Sequence, residues 1–273
     1  MHLENCVITL TYDDQHLPPG GTLIKKDFQV FMKSLRHKYV PKCPFEENTK
    51  ERDKWLIKHQ IRFYHCGEYG EVEEDINKPQ TESRLGRPHY HACIFNHQFD
   101  DLEIFESKKS GDIYTSEKLS KIWGKGFVTV MNLTLQSAGY VARYITKKIN
   151  GDKKDEHYQK VCEITGEIYP VLQEYSTQSN KPGIAKNWWN KYKKDVFPSD
   201  DVIVLSSNSY HHVPTPKYYD NQLEKEDPTL YEQIKVRRNE FAMDHIQDST
   251  LRRLSEREIC KKAQIINQKR KLI

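Results

Sequence analysis

"GRPHYHACIF", residues 86–95, sets His89 and His91 one residue apart inside a run that otherwise reads as a β-strand. Successive strand side chains alternate between faces, so the two imidazoles project to one side, their Cα atoms roughly 6.5–7 Å apart. Two rings so placed either converge on one ion or stand as polar residues on a solvated face, and the pair alone favours the second reading. The preceding strand, "IRFYHCGEYG" (61–70), changes the balance. Antiparallel pairing of the two runs sets Glu68 beside His89 and His91 and completes an N,N,O triad. Imidazole and carboxylate together suit Mn²⁺ or Mg²⁺ and admit Zn²⁺, with open positions for water and a phosphate oxygen. Cys66 and Cys93 lie two residues from Glu68 and His91 on the same faces, so a closed structural zinc site is the competing reading. Here they are read as small packed residues beside the site.

Around this pair the chain alternates strands and helices. "NCVITLTYDD" places Cys6, Ile8, Leu10 and Tyr12 against Val7, Thr9 and Thr11, a strand with one apolar side that ends at Pro-Pro-Gly-Gly, 18–21. "KKDFQVFMKSLRHKYV" spaces Phe28, Phe31, Leu35 and Tyr39 as a helix, with Asp27 as its N-terminal cap. Residues 42–59 read as a loop with a short helical piece around Trp55, and 71–87 as a long exposed connection. "TSEKLSKIWGKG" is a short helix capped by Thr115 or Ser116, "FVTVMNLT" a strand, and a helix runs from about Leu135 to Ile149. The order predicts an α+β fold, a central mostly antiparallel β-sheet flanked by helices, with a largely helical C-terminal extension. Boundaries are expected at 1–150, 151–225 and 226–273.

Hydrophobic content of 36%, charged content of 30% and a formal charge of +4 describe a soluble chain whose overall balance does not announce a nucleic-acid partner. Its distribution says more. Beyond Ser249 lie Arg252, Arg253, Arg257, Lys261, Lys262, Lys269, Arg270 and Lys271 against Glu256 and Glu258, a tail suited to phosphate contacts and equally to a solvated helical face. The six cysteines have no C-x-x-C spacing, and neither a signal peptide nor a membrane-length apolar run is present, so a reduced, intracellular setting without membrane contact is expected.

A second constellation is "GYVARYITKK", 139–148, where Tyr140, Tyr144 and Lys148 recur every four residues along one helical face, with Lys147 beside them. An aromatic packing pair is the plain alternative. Beside a metal, the pair gains a use. A phenol with pKa near ~10 is a poor nucleophile at neutral pH, but an ion that withdraws electron density from a phosphodiester and holds phosphorus in line makes phosphotyrosine formation feasible. Lys147 or Lys148 would add positive charge to the transition state.

"RPHYHACIF" and "YVARYITKK" together resemble the His-hydrophobic-His and paired-tyrosine motifs of HUH endonucleases that initiate rolling-circle replication. With "VITLTYDD", "CGEYG" and "NKPGIAKNWWNKY", most of the chain is similar to the replication-initiation proteins of microviruses of the gokushovirus type. The resemblance implies an HUH endonuclease fold and a nickase and strand transferase whose tyrosine attacks single-stranded DNA at a phage origin. The tyrosine would stay on the 5′ phosphate, leave a 3′ hydroxyl for the host polymerase, and later rejoin the strand. It also implies host bacterial cytoplasm as the location and the host replication helicase as a partner. A conjugative relaxase or transposase of the same chemistry is the nearest alternative, and a DNA-binding module with a structural metal the non-catalytic one. Family members often carry a Cys-containing segment upstream of "TLTYDD", so a short or truncated N-terminus is expected here.

Single-stranded DNA needs cations interleaved with stacking aromatics. Arg87, Arg143, Lys147 and "NWWNKYKK" with Trp188, Trp189, Tyr192, Lys193 and Lys194 are the candidates, Lys186 and Lys193 facing DNA or water, joined by Arg252 and Arg253 in the tail. Core packing is the expectation for at least one tryptophan. His211 and His212 are adjacent, point apart on a strand, and are given no metal role.

Overall fold

The computed structural model describes all residues except 1, 3, 72–84, 109–110, 145–147, 153, 162–164, 198, 207–208 and 268–273. Its first compact unit, Met1–Ile184, contains β1 (Asn5–Thr11), α1 (Lys25–Tyr39), α2 (Lys50–His59), β2 (Arg62–Glu71), β3 (Leu85–Phe95), β4 (Leu102–Lys108), β5 (Gly111–Ser116), α3 (Glu117–Trp123), β6 (Val128–Asn132) and α4 (Leu135–Arg143). The one-turn α5 (Lys154–His157), the small β7 (Gln159–Val161) and β8 (Ile168–Pro170) ribbon, and β9 (Tyr175–Gln178) complete it. Seven strands form one sheet in the order β4-β5-β6-β1-β3-β2-β9, and every pairing in it is antiparallel.

Period-two alternation sorts this sheet into two chemically different faces. Cys6, Ile8, Leu10 and Tyr12 of the β1 segment join Tyr90, Ala92 and Ile94 of β3 in a core closed by Phe28, Phe31, Met32 and Leu35 of α1 and by Leu119 and Trp123 of α3. The opposite residues, Thr9, Cys66, Glu68, His91 and Cys93, are buried too, yet carry the polar chemistry. Helix α4 packs against β2 and β3. Register places Thr9 and Cys66 on either side of His91, and Thr11 and Glu68 on either side of His89.

Several local expectations change. Helix α1 is capped at Ile24, and Asp27 sits in its first turn, where its carboxylate accepts the Tyr12 hydroxyl at 2.7 Å. Ser116 is the true cap of α3, accepting from Leu119 N at 3.0 Å, and Gly124 ends that helix with φ 61°. The "loop" at 42–59 contains a full helix, capped by Thr49. The hairpin of β4 and β5 was not anticipated, because β4 is an edge strand mostly exposed on both faces and so shows no alternation. The expected 71–87 connection lies largely outside the described residues, and its described ends, Glu71 and Leu85–Arg87, are strand.

Sequence-based breaks stood at 150 and 225; the compact units meet between Ile184 and Ala185. Strand β9 pairs with β2, which keeps 175–178 in the first unit. The second unit contains α6 (Lys186–Val196), the β10 (Asp201–Ser206) and β11 (Ser209–Pro214) hairpin, α7 (Lys217–Glu226), α8 (Pro228–Asp244) and α9 (Leu251–Asn267). Trp189, Val196, Phe197, Tyr219, Leu223 and Ile234 form its small core. Arg238 bridges Asp200 and Asp220. Among the described residues no helix is long and apolar enough to cross a membrane.

Candidate metal and tyrosine site

Three side chains converge on one face of the first unit. His89 Nε2 lies 2.7 Å and His91 Nε2 3.0 Å from the same Glu68 Oε1, and the three ligand atoms all fall within 4.8 Å of one another. Strand pairing explains the convergence: Glu68 is the direct cross-strand neighbour of His89, and His91 stands two residues further along the same face. A register shift between Tyr69 and Glu71 bends β2 next to the site. Gly86 permits the close approach of the strands there, since a Cβ on it would stand 2.5 Å from Gly70 O.

The outer hydrogen bonds fix how the rings present themselves. His89 Nδ1 lies 3.0 Å from the Arg87 carbonyl, which only accepts, so Nδ1 carries the proton and the neutral ring turns a lone pair on Nε2 toward Glu68. His91 Nδ1 pairs with Thr9 Oγ1 at 3.0 Å. Burial by itself would raise the Glu68 carboxyl, but hydrogen bonds from His89 and His91 outweigh it and hold it down at about 2. A lone-pair nitrogen facing an ionised oxygen demands a cation, either a second proton or a metal. Two ligand atoms bound at ~2.1 Å at right angles on an octahedral ion stand ~3 Å apart, which matches the 2.7 and 3.0 Å separations. The residues therefore fit a divalent ion.

No cysteine joins this group among the described residues. The Cys66 thiol instead donates to Val141 O at 3.5 Å, tying α4 to β2, and burial pushes the Cys93 thiol up to about 12. Both behave as packed residues.

The tyrosines reach the triad. Tyr144 lies flat on the His91 ring, centroids 4.3 Å apart and planes at 1°, while Tyr140 meets the same ring edge-on at 5.8 Å and 80°. The Tyr144 hydroxyl donates to that of Tyr140. Both phenols are buried, and Val141 anchors the helix beneath them. A capping box of Thr134 and Ser137 starts this helix. It ends at Arg143, earlier than the expected Ile149; Lys148 follows, half-buried and without regular structure, and Lys147 lies outside the described residues.

The expected DNA contacts are more occupied than the sequence implied. Arg87 donates to Tyr12 O at 3.0 Å and pairs with Asp14, while Arg143 is exposed on α4. Lys186 and Lys193 do not simply face DNA or water: both bind Glu226, at 2.9 and 2.6 Å, and hold its carboxyl at about 2. Trp188 stacks on Tyr219 at 5.2 Å, and Trp189 is core. Arg252 and Arg253 pair with Glu256 on the exposed α9. His211 and His212 take separate partners, Ser209 and Asp201. Sequence reasoning missed Thr9 and the Cys66 tie to α4, although alternation had already put Thr9 on the face opposite the core.

Residues 5–149 match the family of replication-associated proteins typified by ORF2. The chain is 31% identical over 246 residues to the Replication-associated protein ORF2 of Spiroplasma virus 4, covering 88% of this chain and 64% of that protein. It is 30% identical over 245 residues to the Replication-associated protein VP4 of Bdellovibrio phage phiMH2K, covering 88% and 65%. It is 33% identical over 230 residues to the Replication-associated protein ORF4 of Chlamydia phage 1, covering 82% and 47%. The chain thus spans less than two thirds of the length of each of these curated relatives. No solved structure matches it.

Proposed function

The chain belongs to the ORF2 family of replication-associated proteins, and we propose on that premise that it initiates rolling-circle replication by nicking and rejoining single-stranded DNA at a phage origin. One observation carries this reading: two phenols and an N,N,O triad meet on one sheet face, with Tyr144 lying on the His91 ring. Glu68, His89 and His91 would hold Mn²⁺ or Mg²⁺, which when bound supplies Lewis acidity at a non-bridging phosphate oxygen. The chain's own residues orient the reactants. Arg87 O and Thr9 fix the imidazoles, and Cys66 and Val141 fix α4, so that a phenol oxygen stands where phosphorus is presented. The phenol oxygen bonds to phosphorus, the bond to the 3′ oxygen breaks, and the phenol proton ends on that oxygen as a free 3′ hydroxyl. Reversal by a later 3′ hydroxyl closes the strand and returns the phenol. With adjacent hydroxyls, Tyr140 and Tyr144 can serve cleavage and joining in turn. Lys148 and Lys147 are the nearby cations of the same segment. The host polymerase and helicase would act on the freed end in the bacterial cytoplasm.

The test is a single-stranded origin oligonucleotide incubated with protein and Mn²⁺, followed by peptide mass spectrometry. A nucleotide adduct on Tyr140 or Tyr144 is expected. The single Tyr→Phe variants should differ in first nicking and both fail to release circles. An adduct surviving in the double Phe variant would overturn the assignment.

A further inference from the structure

Two large aromatic side chains on this unit pack on each other while standing half in solvent. Phe105 is 55% and Phe127 49% exposed, with ring centroids 5.1 Å apart at 57°. Phe105 is the extra residue where the β4–β5 register shifts between Ile104 and Glu106, the device by which a bulge re-aims one side chain. Phe127 sits one residue before β6 and continues its ladder, accepting the Thr11 amide at 2.9 Å. Val128 and Val130 belong to the apolar core and Thr129 does not, so alternation puts Phe127 on the Thr129 side. That is the face of the triad. Across the sheet, Glu68, His89 and Thr11 are consecutive cross-strand partners, and Phe127 continues their row. Two strand spacings separate His89 from Phe127, about 10 Å between Cα atoms, the length of roughly three bases stacked at ~3.4 Å.

We propose that Phe105 and Phe127 form a stacking platform for bases of the single-stranded DNA whose phosphate is presented at Glu68, His89 and His91. The inference rests on the reading of the site given above. The charges around the pair define what it offers. Glu103 and Glu106 are exposed on β4, and Lys108 is engaged with Glu106 at 3.2 Å, so the platform supplies π surface and no phosphate contact. Every base has a π face, so such a platform binds without regard to sequence.

Affinity of the full chain for a short oligothymidylate carrying 2-aminopurine at successive positions tests this, measured with metal chelated so that no cleavage intervenes. Wild type should quench the fluorophore at one or two positions only. Phe105→Leu with Phe127→Leu, which keeps apolar bulk, should abolish that quenching and weaken binding about 5- to 100-fold. The log–log salt slope should not change, since no phosphate contact is lost. Phe105→Tyr should restore quenching. Wild-type binding and quenching in the Leu variant would overturn the platform while leaving the nicking site intact. So would a changed oligomeric state with unchanged DNA binding, which would mark the pair as a protein contact. Failure of wild type to bind single-stranded DNA would overturn the site reading and the platform with it.

Discussion

His65 and His91 are near twins in the folded chain, yet only one belongs to a site. They are 2% and 0% exposed. Each sets Nδ1 against a threonine hydroxyl, Thr177 at 2.8 Å and Thr9 at 3.0 Å. Each lies flat on an aromatic ring, Phe28 at 3.6 Å and 3°, Tyr144 at 4.3 Å and 1°. They differ in what meets Nε2. At His65 that nitrogen has no hydrogen-bond partner, whereas at His91 it faces Glu68 Oε1 with His89 on the same oxygen. Burial, a hydroxyl partner and a stacked ring are thus properties of packing. A shared carboxylate is what makes a cation necessary.

The largest effect should separate the twins outright. Glu68→Gln keeps shape but removes the charge, and should weaken Mn²⁺ binding by at least the ~10–100-fold typical of outer partners. His91→Ala or His89→Ala should take the covalent DNA adduct below detection. His65→Phe, which preserves the ring stack on Phe28, should leave both readouts at wild-type level. Loss of adduct in a folded His65→Phe protein would break the comparison, as would full adduct in Glu68→Gln at low Mn²⁺.

A smaller effect reads the buried neutral ring directly. Burial drives the His65 imidazole down to about 3 from 6.5, and His97 down to about 4 for the same reason. Between pH 6.5 and about 3 the unfolded chain therefore takes up a proton at His65 that the folded chain refuses. Stability is fully present above 6.5 and falls as the pH drops through that window. His65→Phe should flatten the acid limb of urea unfolding by up to ~1.4 kcal/mol per pH unit, leaving the share owed to His97. An unchanged slope would mean that His65 is hydrated or paired in solution.

How far the sequence alone reached follows from the same pair. His89, His91 and Glu68 were legible because period-two alternation and one antiparallel pairing suffice to bring them together. Tyr140 and Tyr144 were legible from helical spacing. His65 passed unremarked, because its burial comes from α1 and β9, elements distant in the chain. The β4–β5 hairpin was invisible for the opposite reason: exposed on both sides, β4 leaves no pattern to read. Ion pairing of Lys186 and Lys193 with Glu226 needed the fold of the second unit, since nothing local sets α7 against α6.

The smallest effect concerns the two threonines, whose bonds look alike and should not act alike. Thr9→Val and Thr177→Val each keep the shape of the side chain and delete one hydroxyl bond to a buried imidazole. For Thr177 the consequence is confined to stability, about 1 kcal/mol at most in urea unfolding, and Mn²⁺ affinity should stay put. For Thr9 the lost bond also frees His91 to change tautomer or tilt, so that Nε2 no longer presents its lone pair beside Glu68. Mn²⁺ affinity should then fall about 10-fold, the low end for a residue that orients a ligand. Calorimetric Mn²⁺ titration of both variants, alongside their urea midpoints, separates the cases. Equal Mn²⁺ affinities for the two variants would mean that the hydroxyl on His91 only packs, as its counterpart on His65 does, and that Glu68 and Tyr144 alone hold the ring in place.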